Sequence, residues 1–341
     1  MKKNIYFSLI ALLVTFFLLS VKTVTLASTR DEENVGFDIQ MIPSDAQHDR
    51  NSSYFDLRLS PNEQKKISIQ VNNTSNEDST FDIQVNQAYT NAQGFIDYKD
   101  SRMSEENNYP IDIKNIVTYP KEIFLKAHES TTFQIDLQMP SQPFDGQVMA
   151  GIQVNKKVEK TAENSITNSY GYILGLVITE TDNSVKRDIA LKSVEAAVKF
   201  GQPTIVANIE NLKMDAIGHL VYDVTIIEKG SGKNILKKEY NSDMQLAPNS
   251  NYPFAIEFGD QRLVAGNYTL SLKISDAQNN QWRFSKDFTI ANKEATQINK
   301  LTIDQGKESG LSWNIALNVI FFLLLLVAII CWFFRKKKKG S

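Results

Sequence analysis

The chain has 341 residues, 42% of them hydrophobic and 22% charged, with a formal net charge of −2 and a single cysteine, Cys331. That lone cysteine excludes a disulfide framework and a thiolate-based zinc site in everything that precedes it. Eight positive charges (Lys2, Lys3, Lys22 and the run Arg335 to Lys339) lie in the two ends, so the interior carries −10; a charge of that sign argues against electrostatic binding of nucleic acid or anionic wall polymers.

In chain order, Lys2 and Lys3 precede an apolar run from Ile5 to Leu19 and a small-residue exit at Thr25-Leu26-Ala27. A basic start, a short apolar middle and a small-x-small exit predict a secretory signal peptide over residues 1–27. Strict alternation then dominates: Ile67, Ile69 and Val71; Phe81, Ile83 and Val85; Phe133, Ile135, Leu137 and Met139. Period two with one apolar face predicts half-buried strands, and turn clusters such as Asn72 to Asn76 and Asn91 to Gly94 separate them. Many short strands at this spacing predict β-sandwiches. Roughly 285 such residues exceed one ordinary core, which predicts two domains. We place the first at 35–179 and the second at 188–290, with a polar seam at Glu180 to Ser184.

Within the first domain, the segment Gln87 to Tyr98 reads as strand, turn, strand. Its rings and amides can either stack on a sugar or fill the core. Phe95 is assigned to the core, and Tyr89, Asn91 and Tyr98 are the candidate ligand-binding residues. In the second domain, alternation continues through Tyr222, Val224 and Ile226 and through Leu270, Leu272 and Ile274. Gly266-Asn267-Tyr268 opens a late strand there. Tyr268 reads either as a tyrosine corner, its hydroxyl tied back to the preceding loop, or as an ordinary strand aromatic.

Residues 291–312 are polar and read as a stalk. From Ile315 to Phe334 nearly every residue is apolar, enough at 1.5 Å rise to cross a ~30 Å hydrocarbon core. Five basic residues follow, and positive charge beside a span stays cytoplasmic. The expectation is a transmembrane helix over 313–334, a cytoplasmic tail over 335–341 and an ectodomain outside. No Leu-Pro-x-Thr-Gly signal precedes the span. Cysteine-free export of this size suggests a Gram-positive source, in which the sequons at Asn51, Asn72 and Asn267 carry nothing.

Catalytic patterns are missing. His48, His128 and His219 lie far apart, no His-x-x-x-His occurs, and neither a Gly-x-Ser-x-Gly elbow nor a phosphate loop is present. Asp97 with Asp100, or Glu105 with Glu106, could form a glycosidase pair by composition alone. A solvated loop explains all four more simply, so neither a catalytic residue nor a cofactor or metal is assigned.

Several stretches then resemble the WxL-interacting proteins of Gram-positive bacteria. They are Val35-Gly36-Phe37 with Pro43, Tyr54 to Leu57, Val71 to Thr74, the hairpin Ala88 to Gly94, and the run from Met139-Pro140 to Gly151. Together they are similar to that family's peptidoglycan-binding domain. Val206 to Asn211, Ala247 to Ser250 and Ala265 to Tyr268 are similar to its host-binding domain. Ala150-Gly151 departs from the two glycines expected there. The chain has no Trp-x-Leu of its own, since Trp282, Trp313 and Trp332 precede other dipeptides, so the resemblance implies the membrane-bound partner of a WxL protein. The combined expectation is an all-β chain of two tandem immunoglobulin-like β-sandwiches and one C-terminal transmembrane helix. It implies a non-enzymatic surface scaffold that binds WxL protein and peptidoglycan, with host matrix ranked behind them. Two domains and a stalk reach on the order of 100 Å from the membrane, less than a thick wall. The alternative is a wall hydrolase built on a sandwich.

Overall fold

The computed structural model describes residues 35–99, 109–157, 170–259 and 261–301. The expected signal peptide, the later part of the expected stalk, the apolar run and the basic tail lie outside the described residues, as do Asp100, Glu105 and Glu106. Among the described residues no helix is long and apolar enough to cross a membrane.

The alternating runs form strands, as their period requires. The first sandwich contains β1 (Phe37–Ile42), β2 (Phe55–Arg58), β3 (Gln64–Asn73), β4 (Ser79–Gln87), β7 (Val117–Thr118), β8 (Glu122–Leu125), β9 (Ser130–Gln138), β10 (Gln147–Lys156) and β11 (Gly171–Thr179). One sheet has the order β1-β3-β9-β7 and the other β2-β11-β10-β4-β8. Every pairing is antiparallel except β2 with β11, where Phe55 lies opposite Leu176. The hairpin β5 (Tyr89–Thr90) and β6 (Ile96–Asp97) stands apart from both sheets.

The second sandwich is built from β12 (Ile189–Lys199), β13 (Gln202–Asn211), β14 (Ile217–Glu228), β15 (Asn234–Leu246), β16 (Asn251–Glu257), β17 (Gly266–Ser275) and β18 (Gln281–Ile290). A three-stranded sheet β12-β13-β16 faces a four-stranded sheet β15-β14-β17-β18.

Each sandwich has its own core. Phe37 packs on Phe81 at 4.8 Å between ring centroids in the first, and Tyr222 on Phe254 at 4.7 Å in the second. Each fully buried side chain of this kind contributes about 1.5–3 kcal/mol. Both domains close a turn with the same device, a buried asparagine at the end of a strand. Asn73 donates to the carbonyls of Glu77 and Lys126, and Asn211 donates to those of Asp215 and Ala247.

Tyr268 is a tyrosine corner in fact: its hydroxyl donates to the Val264 carbonyl at 2.8 Å. The stretch read as the start of a polar stalk is different. Asn292–Leu301 forms helix α1, with Ala295 and Ile298 buried in the second core. The Asn299 amide bonds both the N–H and the carbonyl of Leu263. Only two side chains of this helix are buried, so its apolar period is too sparse to stand out in the sequence.

Candidate functional site

The hairpin β5–β6 is held at both ends, and the two ends do different things. At its tip, Asn91 shapes the turn: its side-chain oxygen accepts from the N–H groups of Gln93 (3.0 Å) and Phe95 (3.1 Å). The tip then meets the second sandwich. The Gly94 carbonyl accepts from Gln245 N at 2.7 Å. Thr90 Oγ1 accepts from Ala247 N at 3.0 Å and lies 2.6 Å from Ser250 Oγ. Ser250 spends its own proton on the Ala247 carbonyl (2.8 Å), so Thr90 is the donor between the two hydroxyls. A second contact runs beside it, where Gln147 N donates to the Met214 carbonyl at 2.7 Å. A Cβ on Gly146 would stand 2.1 Å from that same carbonyl oxygen, so only glycine fits.

The connector is pinned rather than loose. Arg58 pairs with Asp182, and Asn183 donates to Asp145 at 3.0 Å. Arg187 bridges Asp215 (2.8 Å) and the fully buried carboxylate of Asp276 (2.7 Å). Burial alone would raise the Asp276 carboxyl, but hydrogen bonds from Asn280, Arg187 and the Gln278 backbone outweigh it and hold the group below the usual carboxylate range.

Three of the eight stretches that carry the family resemblance therefore converge on this joint, at 88–94, 144–147 and 247–250. Tyr89 is 5% exposed and belongs to the joint, so it cannot offer a ring face to a sugar. Asn91 is occupied by the turn. Phe95, expected in the core, is instead 37% exposed, because it sits in the turn that Asn91 closes, outside both cores. These are corrections to the reading of the hairpin as one sugar-stacking face. Sequence alternation cannot show that a second domain covers one side of a turn.

Tyr98, the third candidate, lies elsewhere. Its carbonyl accepts from Asn86 (2.9 Å) and Gln153 (2.5 Å), which project from adjacent strands β4 and β10 on the outer face of the five-stranded sheet. Its ring crosses Gly151, where a Cβ would stand 2.5 Å from Tyr98 Cβ and 3.0 Å from Ile173 Cγ2. Gly151 pairs directly with Gly175 on β11, and a Cβ there would stand 3.2 Å from Tyr54 Cβ. Two glycines in register thus make a trough in the sheet face that the Tyr98 and Tyr54 side chains fill. Tyr54 is 39% and Ile173 48% exposed, so the trough keeps an apolar, partly aromatic wall open to solvent. Burial, reinforced by Tyr54 and Asp97, pushes the Tyr98 hydroxyl up to about 12, so it stays a neutral hydrogen-bonding group.

The sequence reading missed Tyr54, Ile173 and Gly175, although the Gly-x-x-x-Gly of Gly171 to Gly175 within an otherwise strand-like run was a signal of close approach. Asp97, once considered for an acid pair, accepts from the backbone of Tyr98 (2.7 Å) and Lys99 (3.0 Å). The three histidines stay apart: His48 lies 4.0 Å from Asp182, His128 bonds Asn76 and His219 contacts Asp243 at 2.5 Å.

Two family models match the chain in order. The peptidoglycan binding domain of WxL Interacting Protein matches residues 37–156, and the host binding domain matches 161–300. The second match begins before β11, yet β11 is a central strand of the first sandwich, so the folding boundary falls at the connector after Thr179. No curated protein matches the chain. Among solved structures, the Class 5 fimbriae chaperone CfaA aligns at 10% identity and TM-score 0.27, covering 73% of this chain and 98% of its own. The Pseudomonas aeruginosa CupB2 chaperone aligns at 12% and 0.25, covering 67% and 96%. The E. coli chaperone DraB aligns at 14% and 0.27, covering 67% and 93%. Likenesses of this size say nothing of function.

Proposed function

Because the chain belongs to the WxL-interacting protein family, we propose that it is a non-enzymatic, membrane-anchored surface scaffold whose first domain grips peptidoglycan on the Tyr54 and Tyr98 face that covers Gly151 and Gly175. Carrying a peptidoglycan binding domain and a host binding domain, it is a cell-surface binding protein. The finer assignment rests on one observation: Tyr54 and Ile173 stand exposed on the outer sheet face, beside the Tyr98 ring that packs over the register-paired glycines. A flat sugar can lie against such a ring, and aromatic stacking contributes about 0.5–1.5 kcal/mol beyond area burial. We assign both sandwiches to the immunoglobulin-like type, from the strand order and the tyrosine corner of the second. The anchor is the apolar run 315–334 with its basic tail. A WxL protein is the partner that the family name implies, and host matrix a further one.

The test is co-sedimentation of the full chain with purified wall. Retention without release of muropeptides is expected, and a Tyr54→Ala variant should be retained less. Steady release of muropeptides would replace the scaffold with a hydrolase.

A further inference from the structure

The end of the second sandwich opposite the joint has a character of its own. It carries the β12–β13 turn at Phe200-Gly201, the β14–β15 turn around Gly230 and the loop before β17. A hydrogen bond from Phe258 N to the Pro203 carbonyl and one from Lys229 N to the Asn267 carbonyl tie these parts together. Between them lies a cavity of about 470 Å³ whose lining includes Glu228, Lys233, Phe258, Arg262, Val264 and Tyr268. Helix α1 caps this end through Asn299 and Leu263.

Three large apolar side chains project into solvent here: Val264 (67% exposed), Leu301 (62%) and Phe200 (58%). Phe200 is the most telling. Both Phe200 and Gly201 have positive φ (52° and 73°), as a two-residue hairpin turn of type I′ demands, and that first position ordinarily takes Asn, Asp or Gly. An aromatic residue there is strained by its Cβ and exposed as well, so neither turn chemistry nor core packing accounts for it. Around these side chains Lys233, Arg262, Lys293 and Lys300 are exposed, and none forms an ion pair among the described residues. Of the neighbouring acids, Asp287 pairs with Lys229 at 2.6 Å and Glu257 with Lys238 at 3.4 Å, while Glu228 accepts from Ser231 and Glu294 from Ala291 N, and these two keep their charge. Four unpaired cations less two unpaired carboxylates (4 − 2) leave these groups at +2, on an otherwise acidic ectodomain.

We propose that this end docks on an anionic lipid bilayer, with Phe200, Val264 and Leu301 seated at headgroup level and the four cations against lipid phosphates. The proposal rests on the membrane anchor proposed above. From Leu301 to the apolar run at Ile315 the chain can span at most about 50 Å, even fully extended, so this end is tethered beside the surface it would meet. Small apolar insertions combined with basic residues are the usual terms of interfacial binding, and each cation near an anionic surface adds attraction.

The experiment uses the full chain with Cys331→Ala, a nitroxide label on Val264→Cys, Phe200→Cys or, as a control in the first domain, Ser53→Cys, and nanodiscs of mixed phosphatidylglycerol and phosphatidylcholine. These are exposed positions, so the melting temperature should not move, and it is measured first. Collision of the label with a water-soluble nickel chelate should be at least threefold lower at 264 and 200 than at 53. The protection should fall when Lys233→Glu and Arg262→Glu are added. Equal chelate access at all three positions in discs that contain the chain overturns the docking and leaves the anchor standing. A chain that never enters the discs removes the anchor, and the docking with it.

Discussion

The tip of the hairpin and its exit are separated by only a few residues, yet one is spent on structure and the other on a surface. At the tip, Thr90 and Gly94 hydrogen-bond the second sandwich and the neighbouring Tyr89 is buried. At the exit, Tyr98 lies on an open sheet face beside Tyr54. Residue type does not distinguish the two tyrosines; what covers them does. The joint is read in melting temperature and the trough in binding, and substitutions should separate the two readouts.

The largest effect is expected at the joint. Asp276→Ala leaves Arg187 with one carboxylate fewer in a mostly buried site, and should cost about 3–5 kcal/mol in denaturant unfolding. Tyr89→Ala should cost a similar amount, about 3–5 kcal/mol, with wall retention unchanged. If Tyr89→Ala weakened wall binding and left stability alone, the joint and the trough would have been assigned the wrong way round.

An intermediate effect belongs to Gly151→Ala. The added methyl meets Tyr98 Cβ at 2.5 Å, so the ring must move. Overpacking of this kind costs about 1–3 kcal/mol, and wall retention should fall as well. Tyr54→Ala sharpens the comparison most because its ring is well exposed: stability should change by less than about 1 kcal/mol while wall affinity drops about 2- to 10-fold.

Acid gives the smallest and most selective effect. The folded Asp276 carboxyl sits below its unfolded value, so its contribution is fully present above about pH 4 and is lost as the pH falls through the lower folded value. A calorimetric scan series from pH 6 to 3 should show the wild type losing stability more steeply below pH 4 than Asp276→Asn.

Much of the fold was legible in the sequence, because a half-buried strand must alternate. The runs at 67–71, 81–85, 133–139, 222–226 and 270–274 are all strands with their apolar members inside. Tyr268 could be read as a corner because the tie it makes is local in sequence. What was hidden depends on distant chain. Helix α1 shows too little apolar period of its own. The tie of Thr90 depends on Ser250, and the trough depends on Tyr54, Tyr98, Gly151 and Gly175 meeting from four separate segments. The quoted motifs were real, but several of them record the joint rather than a ligand.

The parallel pairing of β2 with β11 carries a consequence for how the molecule comes into being. Strand β2 bonds the nearby segment Ala46 to His48 on one side, but on the other Phe55 finds its partner only at Leu176, so that side must wait while more than a hundred further residues emerge. Contacts of such sequence separation are slow to close. A fragment ended near residue 157, where one family match stops, would present β10 and β2 as raw edges and should aggregate. The smallest autonomous piece of the first sandwich therefore ends no earlier than Thr179, and any split of this chain into working parts should be cut in the connector.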